Sequence, residues 1–311
     1  MSFHNIIHPL TKHSFSIFSN NGKELLKYYV KLNQNGGGIS NPKSNLKLKL
    51  KSKSKNTKLS ILLISCDAYH LFSPISLYFI KKNIANYFGS NIYYTSETSK
   101  INDKNVTNIN TKHINGKHFV KRLHYVLNKI NSKYIFLIQE DHWFITKLMN
   151  KNIYDKILEI CEKNDLDQLK LLPISGFHGI KKTNDIIYTS KDMIISWANG
   201  TKYPVSHHAT IFKKKWLLNN LENAIDNNKL TPWEHEVFNF NIQKEIKGKH
   251  IDNKIHRIAY IKYLKNIGIL ESVVAKGKLS KKGHNILKQN KKNKIFEKLL
   301  NTLPNTTFLS K

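Results

Sequence analysis

The sequence predicts an α/β protein on a mixed sheet, parallel in its first half and extended by antiparallel strands in its second, with helices on both faces. Three observations predict it. From Leu59 onward, apolar runs of strand length alternate with helix-spaced segments, the order of right-handed parallel crossovers. Those first runs are continuously apolar, as in strands covered on both faces. After Leu169 the pattern breaks into short strand-like pieces between turns, which points to antiparallel pairing.

Residues 1–58 stand apart from this pattern. Phe15 to Leu32 has helical spacing, with Leu25, Leu26, Tyr29 and Val30 following Gly22-Lys23-Glu24, and it stops at Gln34-Asn35-Gly36-Gly37-Gly38. Lys47 to Lys55 is a block of like charge that repels itself and predicts disorder, either a solvated linker or a tether to anionic partners. The expected organisation is a basic N-terminal extension over 1–58, a globular domain over 59–285 and a basic C-terminal tail over 286–311. Within the domain, 59–66 reads as a first buried strand, about 74–88 as a helix, 91–95 as a strand and 118–131 as a helix with Val120, Leu123, Val126, Leu127 and Ile130 on one face. A strand over 134–139 and a helix over 153–163 follow. Short strands are expected at 169–172, 186–189, 193–197 and 209–212, helices at 214–224 and 234–246, and strand and loop over 268–279. There is no internal repeat.

At 311 residues the chain can hold one large domain or two small ones. Its formal charge of +30 is carried almost wholly by lysine, since Arg122 and Arg257 are the only arginines. Base reading and tight phosphate clamping favour the planar arginine fork. Lysine with abundant asparagine is more simply a mark of AT-biased coding, so nucleic-acid binding is permitted and not compelled. Cys66 and Cys161 are too few for a disulfide framework and lie among apolar residues, which fits reduced thiols in the cytoplasm. The N-terminus has no continuous apolar segment of a secretory signal, and the longest apolar runs, at 61–64 and 134–138, are far too short to cross a bilayer. A soluble or peripheral cytoplasmic protein is expected.

Tyr134-Ile-Phe-Leu-Ile-Gln-Glu-Asp-His-Trp-Phe144 is the most informative segment: an apolar strand ends abruptly in Glu140, Asp141 and His142. Open α/β sheets place ligands at that end. Crowded carboxylates and an imidazole call for a divalent cation, unless the segment is an ordinary strand end with a solvated turn. Ser65-Cys66-Asp67 ends the first strand; Asp67 is a ribose or base acceptor, or an N-cap. No GxGxxG follows it, so a Rossmann dinucleotide site is not expected. Pro204-Val-Ser-His-His-Ala-Thr-Ile-Phe212 carries two histidines that must face opposite ways on a strand, so one at most enters a given site. Pro232-Trp-Glu-His-Glu236 opens a helix capped by Thr231; its carboxylates either complement the helix dipole or supply a general base. Position 239 is Asn, so this is no HExxH zinc helix. Ala275-Lys-Gly-Lys-Leu-Ser-Lys-Lys-Gly283 is a lysine–glycine loop able to reach phosphates, or a solvated one.

In this order, Ile61 to Asp67, Val120-Lys-Arg-Leu123, Tyr134 to Phe144, His207-His208, Pro232 to Glu236 and Gly268-Ile-Leu-Glu-Ser-Val-Val274 leading to Lys276-Gly-Lys278 resemble the GT-A-type nucleotide-sugar glycosyltransferases, over roughly residues 58–285. The similarity is to small members of giant DNA viruses and bacteria, which would place the protein in host cytoplasm or a virion. The resemblance implies transfer of a sugar from a nucleoside-diphosphate donor to an acceptor hydroxyl on a glycan or protein. It implies Mn²⁺ or Mg²⁺ on the diphosphate, held at the place of Glu140 and His142. Asp67, Glu140, Asp141, His208, Lys276 and Lys278 would line the donor side, the lysines stabilising the leaving diphosphate. Glu234 or Glu236 would deprotonate the acceptor, and direct displacement with one base implies inversion. His142 departs from the family's usual third carboxylate, and imidazole suits Mn²⁺ better than Mg²⁺.

Two other classes stay open. Asp141 followed by Asp167-Gln-Leu-Lys170 resembles the acidic residue and lysine of a metal-dependent nuclease, and the charge would serve DNA. A non-catalytic basic protein gripping phosphates is the second.

Overall fold

The computed structural model describes residues 5–7, 14–16, 57–85, 91–145, 152–171, 186–197, 205–238, 257–264, 269–270, 273–275, 278–303 and 308–309. The chain divides into two units, Met1–Lys53 and Ser54–Lys311. In the first, β1 (Asn5–Ile7) pairs antiparallel with β2 (Ser14–Ser16). Phe15, expected to open a helix, is therefore a strand residue paired with Ile6. The remainder of that helix and the lysine block lie outside the described residues.

The second unit is built on a nine-stranded sheet. β3 (Thr57–Ile64), β4 (Asn91–Ser96), β5 (Val106–Asn110) and β6 (Ser132–Gln139) run parallel in the order β5-β4-β3-β6. With β7 (Trp143–Phe144) set aside, the sheet continues through β8 (Gln168–Lys170), β9 (Ile186–Thr189), β10 (Met193–Trp197), β11 (Thr210–Lys213) and β12 (Ile258–Leu264). β11 is antiparallel to both β6 and β8, β12 is parallel to β8, and β10 and β9 close the far edge antiparallel. A parallel half with antiparallel additions is the architecture that the sequence predicts.

The apolar run of β3 is continuous because both faces are covered. Leu59, Ile61 and Leu63 pack with Leu77 and Ile80 of α1 (Ser73–Ile80) and Ile157 of α3 (Asn152–Lys163). Leu62 and Ile64 pack on the other face with Val120, Leu123 and Val126 of α2 (Phe119–Leu127) and Leu217 and Leu221 of α4 (Lys214–Asp226). The predicted helix at 74–88 is shorter and flanked by tighter and wider turns: a 3₁₀ segment at Asp67–Phe72 precedes α1, and a π turn at Lys81–Ala85 follows it. A further helix covers 232–238 among the described residues.

Past residue 268, β13 (Ile269–Leu270) pairs with β7, β14 (Val274–Ala275) with β15 (Lys278–Ser280), and β15 with β16 (Phe308–Leu309). The expected basic tail from 286 is instead folded. α5 (Lys281–Gln289) and α6 (Lys294–Thr302) bury Ile286, Leu287, Phe296 and Leu299 against Phe72, Phe79 and Trp143. The lysines there lie on the outer faces of amphipathic helices. Among the described residues no helix is long and apolar enough to cross a membrane.

Candidate active site

β3, β4 and β6 are parallel, so Ser65–Asp67, Glu97–Ser99 and Glu140–His142 emerge on one edge of the sheet. Arg122 of α2, 2% exposed, ties the first two of these ends together. Its Nη2 donates to the Ser65 carbonyl at 2.8 Å, its Nε to Thr111 Oγ1 at 3.1 Å, and its Nη1 pairs with the Glu97 carboxylate. Glu97 Oε2 also accepts the Asp67 N–H at 2.6 Å. The Asp67 carboxylate accepts the backbone N–H of Thr98 at 3.0 Å and of Ser99 at 2.9 Å, and the Thr98 hydroxyl. Desolvation works against ionisation of Asp67, but these donors outweigh it and hold the carboxyl well below the usual range. Asp67 thus fixes the 97–99 turn, and its carboxylate is engaged by the protein's own donors.

Glu140 is buried and turned toward this same side, where its charge bears on the Cys66 thiol and the Tyr94 hydroxyl. Burial pushes its pKa up to about 8, with the Asp141 charge adding and its own backbone N–H and Arg122 opposing. His142 is fully buried and turned elsewhere. Its Nδ1 lies 2.9 Å from Asp141 Oδ1, and its Nε2 3.0 Å from His208 Nδ1. β11 runs antiparallel to β6, so the residues leading into it reach this edge; His207 and His208 precede the strand instead of alternating on it, and they turn to different partners. His208 stands at the surface beside His142; His207 is buried, with Nε2 3.0 Å from His235 Nδ1 and its ring edge-on to Phe119. Burial holds His207 and His235 neutral.

These donors do not fit the cation expected at Glu140 and His142. Glu140 faces Cys66 and Tyr94, while His142 and His208 direct ring nitrogens at each other. Among the described residues no three His, Cys, Asp or Glu side chains converge on a metal position.

The helix at 232–238 separates the two candidate bases. Thr231 Oγ1 accepts the Glu234 N–H at 3.2 Å, and Glu234 Oε2 accepts the Thr231 N–H and hydroxyl, each at 2.9 Å: a capping box. Those bonds lower the pKa of Glu234. Glu236, half-buried, turns inward, and its Oε1 accepts the His207 N–H at 2.8 Å. Burial raises its pKa, against the His207 N–H, the charge of Lys170 and the Ser206 hydroxyl. Lys170 is 3% exposed at the end of β8, and burial lowers its pKa to about 7 while Glu236 opposes the fall.

The lysine loop is anchored to the same edge. The Val273 N–H donates to the Asp141 carbonyl at 3.1 Å, and the hairpin continues with Val274 opposite Leu279 and Ala275 opposite Lys278. Lys278 therefore stands on the strand next to the turn; Lys276 lies outside the described residues. Sequence reasoning named Lys170 only as part of a nuclease and gave no role to Arg122, Glu97 or His235. For Lys170 the signal was present, a charged residue set in Leu169-Lys170-Leu171-Leu172. For the others it was not, because their partners are distant in sequence.

No family model matches the chain, and no curated protein sequence does. Among solved structures it is similar to residues 1–349 of S. aureus TarS, with TM-score 0.37 and 11% identity over 58% of this chain and 54% of that one. The same TarS fragment in complex with UDP-GlcNAc gives 0.35 and 11% over 56% and 48%. A cytidylyltransferase from Leptospira borgpetersenii gives 0.36 and 14% over 65% and 80%. The chain spans about half the length of the TarS fragment it matches.

Proposed function

We propose that the protein transfers a sugar from a nucleoside-diphosphate donor to an acceptor hydroxyl, with Glu236 as the general base. The observation that carries this reading is the inward carboxylate of Glu236, fixed by the His207 N–H at the edge where the parallel strands end. A carboxylate whose pKa burial raises, anchored by the His207 N–H and the Ser206 hydroxyl, is suited to accept a hydroxyl proton. As Glu236 takes that proton, the acceptor oxygen bonds the anomeric carbon, and the bond to the diphosphate breaks with its electron pair on the leaving group. Displacement from the opposite face inverts that carbon. In this reading the 97–99 turn that Asp67 fixes lies beside the nucleoside, His208 and the lysines that the resemblance assigns, Lys276 and Lys278, serve the diphosphate, whose charge grows in the transition state, and Asp141 is engaged with His142. The acceptor is a glycan or a protein.

The nuclease reading loses its constellation. Lys213 pairs with Tyr134 and donates its N–H to the Asp167 carbonyl at 2.9 Å, which sets Asp167 level with the start of β6. Asp141 is seven residues further along, roughly 23 Å at about 3.3 Å per residue. The two carboxylates stand at opposite ends of the sheet.

The test is a panel of nucleoside-diphosphate sugars, each assayed with Mn²⁺, with Mg²⁺ and with chelator. Consumption of one donor is expected. Glu236→Gln is expected to lower turnover at least ~10²-fold with donor affinity kept, and Glu234→Gln to leave turnover near wild type, since glutamine also closes a capping box. Equal effects of the two variants would overturn the assignment of the base. Tight, salt-sensitive DNA binding without donor binding would overturn the function.

A further inference from the structure

A cavity of about 550 Å³ lies along α1, and no residue of the proposed transfer chemistry lines it. Pro74, Leu77, Tyr78, Lys81 and Lys82 supply one wall; their i, i+3, i+4, i+7, i+8 spacing sets them on a single helix face. The β4–β5 connection, from Lys100 to Asp103, supplies a second wall, and Ile295 at the start of α6 adds to the rim. These walls are preformed. Lys81 Nζ meets Asp103 Oδ2 at 2.8 Å and joins the two. The Ile101 N–H donates to Asn108 Oδ1, and the Asn108 amide donates back to the Ile101 carbonyl, each at 2.9 Å, which pins the connection to β5. The Tyr78 ring stands edge-on to that of Phe296, with centroids 5.1 Å apart, which fixes the start of α6 beside α1.

The lining combines apolar surface with unbalanced positive charge. Leu77 and Ile101 are buried, while Ile295 is a large aliphatic side chain left open to solvent. Asp103 is the one carboxylate of the lining, and Lys81 takes it. Lys82 and Lys100 are exposed and have no carboxylate partner among the described residues; Lys82 Nζ lies over the Tyr78 ring, 5.5 Å from its centroid. A concave site of this size, with apolar walls and a few charged groups, suits a small molecule that has an anionic head and an apolar body. Lysine serves phosphate as a point charge. We propose that this cavity binds a phosphorylated amphiphile, its phosphate held by Lys82 and Lys100 and its apolar body laid against Leu77, Ile101 and Ile295. The site does not depend on the transferase reading.

The experiment is a calorimetric titration of the whole chain, without sugar donor, with hexyl phosphate, hexanol and inorganic phosphate as probes. Hexyl phosphate is expected to bind at least ~10-fold more tightly than either of the others, because it alone meets both kinds of surface. The double variant Lys82→Gln/Lys100→Gln is expected to weaken it ~10-fold or more, and Ile295→Ser ~3-fold or more. All three positions are exposed, so these substitutions leave the core intact. Lys291→Gln/Lys292→Gln removes the same charge from exposed positions outside the cavity and is expected to leave binding unchanged. Equal weakening by the two double variants would reduce the binding to the general attraction of a chain of charge +30 and overturn the proposal. Hexyl phosphate that fails to bind, or binds no more tightly than inorganic phosphate, would overturn it as well. Vesicles of phosphatidylcholine with and without phosphatidic acid identify the source of the phosphate. Retention by the acidic vesicles that is lost in Lys82→Gln/Lys100→Gln supports a lipid headgroup, and hexyl phosphate bound without retention supports a soluble phosphate ester.

Discussion

Asp67 and Glu140 stand at the ends of neighbouring parallel strands, yet their carboxyls are in opposite states. Asp67 is exposed and collects the donors of the 97–99 turn; Glu140 is buried and keeps its proton to about pH 8. The unfolded Glu140 carboxyl ionises near 4.5, so between there and about 8 the folded state holds more protons and loses stability as pH rises. Glu140→Gln is expected to flatten that decline and to exceed wild type in stability above pH 8, read from denaturant midpoints over a pH series; parallel curves would contradict it. At this scale the sequence was partly legible. Thr231 and Glu234 have capping-box spacing, and the structure closes that box. What separates Glu236 from Glu234 is the direction of one helix face toward His207, a residue far away in the chain, and residue type carries no trace of it. The burial of His142 against His208 is likewise a product of antiparallel register.

Elements were legible where their burial is written as a period. β3, β6 and α2 stand out because both faces of the sheet are covered and the helix has one apolar stripe. β5 was missed, since only Val106 and Ile109 of Val-Thr-Asn-Ile-Asn are buried, as befits the edge of the sheet. The second half of α5 was read as tail because Ile286 and Leu287 are scattered among lysines. Its fit is nonetheless tight. A Cβ on Gly283 would lie 2.7 Å from Leu279 Cδ1 and 3.1 Å from Val273 Cβ, both buried side chains. Gly283→Ala gains about 1 kcal/mol in helix propensity and loses about 1–3 kcal/mol to overpacking. Net destabilisation is expected in equilibrium unfolding, and a more stable variant would show that the β15–α5 junction yields.

For the whole molecule, the C-terminal helices close an apolar cluster one of whose fully buried members, Trp143, directly follows His142. Truncation after Ser280 uncovers Phe72, Phe79 and Trp143 and is expected to yield an unstable, aggregating protein; an unchanged melting temperature would contradict that packing. The positive charge belongs to the same picture. The lysines of α5 and α6 sit on outer helix faces, while Arg122, buried at the strand ends, braces the edge that Glu236 overlooks. The central claim is that this edge transfers sugar with Glu236 as base. The most direct measurement is donor turnover across the nucleoside-diphosphate-sugar panel by wild type, Glu234→Gln and Glu236→Gln. The account expects one donor to be consumed by the first two and bound but not consumed by the third. Undiminished turnover in Glu236→Gln, or no donor bound by any of them, would contradict it.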